Sequence, residues 1–148
     1  MSETADYVEC SIVIAVGADS IWPLVSRPEW FITRTAVPPV VIEGNRPGER
    51  VVLDERYGAL AIHTVVLCQP RYAAFRWVQQ TPEGEDMMRP TLVEFWVGAD
   101  GDGMCSLRVR ESFFDFTGMA EVQRRDALDD NAAGWSGALA EAKAYLEA

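Results

Sequence analysis

A chain of 148 residues, 49% of them apolar, has the length of one domain and enough apolar side chains for a core, which argues against disorder. Its net charge of −10 argues against nucleic acid and against an anionic membrane surface as partners, because both recruit basic patches. Excess acid also keeps a small protein soluble.

Met1 to Asp6 is acidic and polar, unlike a signal peptide. No apolar run approaches the ~20 residues of a membrane helix. A cytoplasmic protein with no membrane insertion is expected. Val8 to Val16 alternates, with Cys10, Ile12 and Ile14 on one face and Glu9 and Ser11 on the other, which predicts a strand. Gly17 ends it. Asp19 and Ser20 start a short helix carrying Ile21, Trp22, Leu24 and Val25. Pro28 opens a second short turn with Glu29, Trp30 and Phe31.

Strands then dominate. Val40–Glu43 is short, and Asn45 to Gly48 has turn chemistry. Strands follow at Glu49–Tyr57, Leu60–Cys68 and Tyr72–Gln79, then a polar loop from Thr81 to about Met88 and a strand at Thr91–Val97. Ala99 to Gly103 (ADGDG) reads as a hairpin turn. Met104–Phe114 reads as the last and longest strand. Short turns make these neighbours antiparallel.

From Met119 to Ala148 the pattern changes period. Leu128, Ala132, Trp135, Leu139, Ala142 and Leu146 recur at gaps of three and four, one stripe of a long helix. Thr117 is its expected cap. Such a helix needs a wide apolar partner, and the strands supply one. The expected fold is a single α+β domain over residues 1–148: about six or seven strands curved round a C-terminal helix, with two short helices after the first strand.

Alternation also names the face toward the helix. Phe75 and Trp77 share a face opposite Arg76. Val93, Phe95 and Val97 oppose Glu94 and Trp96. Leu107, Val109, Glu111 and Phe113 oppose Arg108, Arg110 and Ser112. A carboxylate among those apolar residues costs free energy unless paired or wetted. Glu111 therefore either pairs with an arginine, lies at a solvated strand end, or anchors a ligand pocket. The aromatics Trp22, Trp30, Phe75, Trp77, Phe95 and Trp135 either fill one core or wall a cavity. Gly134 and Gly137 bracket Trp135 and permit a kink or a close approach there.

Other chemistry finds little support. His63, the single histidine, lies in a strand whose inward face is ambiguous, and no GxSxG accompanies it. Cys10, Cys68 and Cys105 lack CxxC spacing and read as buried thiols. Asp100 to Glu111 mimics a calcium loop, but Met104 and Cys105 stand where an oxygen ligand and a glycine belong. No metal site, catalytic constellation or cofactor is indicated.

ADSIWPLVSRPEWF (Ala18 to Phe31), GALAIHTVVLCQPRYAAFRW (Gly58 to Trp77) and NAAGWSGALAEAKAYL (Asn131 to Leu146), in that order and spacing, resemble the START-like, Bet v 1-like proteins of the group named after the activator of Hsp90 ATPase. The resemblance implies a helix-grip fold with a cavity between sheet and helix. Members carry lipids, sterols and other hydrophobic molecules, act as polyketide cyclases, or assist Hsp90. The chain has room for the START-like domain alone, which puts ATPase activation in doubt. SFFDF (Ser112 to Phe116) stands where the family often has a glycine, and its bulk is expected to narrow the cavity mouth.

The leading expectation is a binding protein for a small hydrophobic molecule, lipid or polyketide-like, at Trp30, Phe75, Trp77, Phe95, Glu111, Phe113 and Trp135. The first alternative is a chaperone- or stress-related interaction module, with a chaperone as partner and Trp96 as its exposed apolar residue. The second is a cyclase-like enzyme using Glu111, Tyr57 or His63. A monomer and a homodimer fit equally.

Overall fold

A computed structural model describes residues 6–33, 40–55 and 58–148. Strand β1 (Tyr7–Ile14) is followed by helices α1 (Ala18–Val25) and α2 (Glu29–Thr33), then β2 (Val40–Glu43), β3 (Glu49–Asp54), β4 (Gly58–Cys68), β5 (Tyr72–Gln80), β6 (Thr91–Ala99), β7 (Cys105–Ser112) and α3 (Glu121–Glu147). The strands form one seven-stranded sheet in the order β1-β7-β6-β5-β4-β3-β2. Every described pairing is antiparallel. This is the expected α+β helix-grip architecture.

The core lies between the inner face of the sheet and the helices. Val93, Phe95, Leu107 and Val109 are fully buried, as their alternation requires, and α3 adds Trp135, Ala138, Leu139 and Ala142. Helix α1 contributes Ile21, Trp22, Leu24 and Val25. The stripe on α3 is what makes so long a helix stable: its burial removes apolar area from water at about 25 cal/mol per Å². The far end of α3 is tied to the end of β1. Glu147 accepts from the backbone N–H of Ala15 at 2.7 Å, and Lys143 Nζ donates to the carbonyl of Val13 at 3.0 Å.

Several expectations are corrected. The longest strand is β4, with 11 residues. β7 has 8 and stops at Ser112, because Phe113 takes φ 64°, a left-handed conformation that ends the pleat. Phe113 is thereby turned out of the inner face and is 65% exposed, under the guanidinium of Arg76 at 5.7 Å. Thr117 does not cap α3. Its N–H donates to Asp115 at 3.2 Å within the preceding turn, and Gly118 takes φ 81°. The helix starts after Ala120, whose N–H donates to the Gln123 side chain at 2.9 Å. α3 runs unbroken through Gly134 and Gly137. Cys105 is buried, but Cys10 is half-buried and Cys68 exposed. His63 is exposed, while its neighbour Ile62 is fully buried. Tyr57 lies outside the described residues. No helix among the described residues is long and apolar enough to cross a membrane.

Candidate functional site: a cleft between sheet and helix

The grip of sheet on helix is incomplete along α3 from Asp130 to Ala138. A cleft of about 470 Å³ opens there between the helix and strands β4 to β7, within the size range of small-molecule sites. Helical spacing places Asn131, Gly134, Trp135 and Ala138 on its helix wall. β5 supplies Trp77, β6 Thr91 and β7 Glu111, all on neighbouring strands of one face. Phe31 and Ile32 enter from α2. Met88, Arg89 and Phe114 come from the loops flanking β6 and following β7.

Glu111 organises the cleft floor. It is 5% exposed, and its flanking partners across the sheet are Val8 and Val93, both buried. Three groups donate to its carboxyl: Trp135 Nε1 to Oε1 at 2.9 Å, Trp77 Nε1 to Oε2 at 3.0 Å and Thr91 Oγ1 to Oε2 at 2.7 Å. Indole N–H groups can only donate, so both oxygens act as acceptors. The two indoles lie parallel, with an interplanar angle of 2° and centroids 5.4 Å apart, an offset stack. One side chain thus fixes two large stacked rings beside the cleft. Neither the arginine partner nor the solvated strand end applies: among the described residues Glu111 makes no ion pair, and it is buried.

The other expected residues divide. Phe75 and Phe95 are fully buried and form the layer beneath, with Phe95 edge-on to Trp135 at 5.8 Å. Trp30 is half-buried beside Tyr145 at 5.5 Å and outside the lining. Phe113 faces solvent, and its neighbour Phe114 lines the cleft instead. Thr91 was legible, since it shares the face of Val93 and Phe95. Asn131 lies four residues before Trp135 on the same helical face. Met88 and Arg89 sit in a loop and carry no periodic signal.

The mouth is tied shut on one side. Arg89 Nε lies 3.3 Å from Asp115, and the Arg89 N–H donates to the same carboxylate at 3.1 Å. The Thr117 side chain and the N–H groups of Arg89 and Thr117 hold the Asp115 carboxyl well below the usual carboxylate range. This latch joins the loop before β6 to the loop after β7, the two that bring Met88 and Phe114 to the cleft.

No family model matches the chain, and no curated protein matches it. Solved structures do share its architecture. CalU16 from Micromonospora echinospora matches with a TM-score of 0.63 at 16% identity, over 96% of this chain and 76% of that one. The Aha1 dimer from Colwellia psychrerythraea matches at 0.65 and 12%, over 96% of each chain. A START superfamily protein from Mycobacterium smegmatis matches at 0.62 and 14%, over 95% of this chain and 98% of that one. At such identities the likeness is one of fold. The chain has the START-like, Bet v 1-like helix-grip fold.

Proposed function

We propose that the protein binds a small, largely apolar molecule, lipid or polyketide-like in its body, in the cleft between the sheet and α3. The observation that carries this reading is the stacked pair Trp77 and Trp135, fixed by Glu111 along a cleft of about 470 Å³. A ligand burying some 200 Å² of apolar surface there would gain roughly 5 kcal/mol before the costs of association. The core beneath is closed by Phe75 and Phe95, so the ligand contacts the indoles, Phe31, Phe114 and Glu111 rather than those two phenylalanines.

The interaction-module reading has less support. Trp96, its exposed apolar candidate, is half-buried, covered by the Arg108 guanidinium at 4.2 Å and by Tyr72 at 5.5 Å. The cyclase reading has Glu111, Tyr57 and His63 as its candidates, yet His63 is exposed and outside the cleft lining, which leaves Glu111 without that partner there.

Native mass spectrometry of gently purified protein, followed by solvent extraction, tests the binding reading. The expected result is a retained hydrophobic mass that Trp135→Ala diminishes. Gly134→Leu gives a second route, because a Cβ at Gly134 meets nothing within 4 Å and the added side chain fills the cleft. Equal retention by the wild type and both variants would overturn the assignment to this cleft.

A further inference from the structure

The charge balance of the cleft is lopsided. Its floor holds Glu111, a carboxyl 5% exposed, flanked across the sheet by Val8 and Val93 and hydrogen-bonded only to neutral donors. Arg89, which lines the cleft, is already engaged with Asp115. Asp130 adds a second carboxylate on the helix wall. A buried acid whose neighbours are neutral lacks the countercharge that would offset its desolvation. The wall beside it is aromatic: Trp77 and Trp135, stacked on one another, both line the cleft, and aromatic rings attract cations. Oε1 of Glu111 takes a single donor, although each carboxylate oxygen has about two lone-pair directions.

Resting on the binding reading above, we infer that the ligand of this cleft is cationic: an apolar molecule bearing a protonated amine, set against Glu111 and the indole wall. The cation supplies the charge the floor lacks, and its N–H groups reach the open acceptor direction of Oε1. A ligand with a carboxylate or phosphate at that end would place like charges together in a site of low polarity, which is unfavourable.

The test uses three probes with one apolar body: naphthylethylamine, naphthylethanol and naphthylacetate, each titrated calorimetrically into the wild-type protein near neutral pH and at low salt. Affinity is expected to fall in the order amine, alcohol, acid, with the amine about tenfold or more ahead of the alcohol. Glu111→Gln keeps an acceptor and removes the charge, and should bring the amine-to-alcohol ratio close to one. An alcohol that binds as tightly as the amine would overturn the charge inference and leave the binding reading standing. Binding of none of the three would overturn both. A ratio preserved in Glu111→Gln would place the cation elsewhere. The wild-type ranking decides the matter alone should that variant not fold.

Discussion

Glu111 is the residue on which the cleft depends, and its replacements should separate two costs. Glu111→Gln retains an amide oxygen for one indole, whereas Glu111→Leu leaves the N–H groups of both Trp77 and Trp135 without their acceptor in a buried setting. Each buried donor left unsatisfied costs about 1–3 kcal/mol. The leucine variant should therefore lose about 2–5 kcal/mol in urea denaturation, more than the glutamine variant; equal losses would mean the indoles find other partners. On the opposite face of the sheet, burial and then the hydrogen bond to Glu94 at 2.5 Å push the Tyr72 hydroxyl up to about 12. Its folded value lies above the unfolded value near 10, so its contribution to stability is complete below pH 10 and is lost as pH rises through about 12. Tyrosinate absorbance should show a component near pH 12 that Glu94→Gln moves downward. Such residue-level features were only partly legible. Alternation put Glu111 on the inner face, but nothing in the sequence names two indoles as its partners, because they come from β5 and α3. Phe113 was misplaced by the same alternation, because a single residue at φ 64° ends the period without a glycine to mark it.

At the scale of elements, α3 and the latch make separate predictions. Gly134 on α3 costs up to about 1 kcal/mol relative to alanine, and a methyl group there meets no atom within 4 Å. Gly134→Ala should raise the thermal midpoint while lowering ligand occupancy. Opposite signs distinguish cleft filling from general destabilisation, and a fall in both would contradict the role given to the open space. The Arg89–Asp115 latch should govern exchange. Asp115→Asn is expected to speed ligand dissociation several-fold in stopped-flow measurements; an unchanged rate would mean that ligands pass elsewhere. Since the Asp115 carboxyl is depressed on folding, its contribution to stability is complete above about pH 4. It is lost only as pH falls further, so the stability gap between wild type and Asp115→Asn should hold from neutral pH down to the unfolded carboxylate range and close below it. Periodicity made the strands and α3 legible from Val93, Phe95, Leu107, Val109, Trp135 and Leu139. The loops holding Met88, Arg89, Phe114 and Asp115 have no period, and their approach to α3 is set by tertiary contacts alone.

For the molecule as a whole, one sheet face packs on α3, and the other carries an aromatic and charged lattice together with a small buried cluster of Val51, Ala61 and Val78. Arg108 covers Trp96, Arg110 lies over Tyr7 at 4.6 Å, and Arg110 donates to Glu9 at 2.8 Å. The five tryptophans divide accordingly: Trp77 and Trp135 on the cleft, Trp22 in the core, Trp30 against Tyr145, and Trp96 on the outer face. That division allows a direct test of the claim that the cleft is the binding site. Indole N–H resonances of isotope-labelled protein, assigned by single substitution, would be followed during titration with naphthylethanol, the uncharged probe. The account predicts progressive shifts of the Trp77 and Trp135 signals, with Trp96 unmoved. Shifts confined to Trp96, or none at saturating probe, would contradict it.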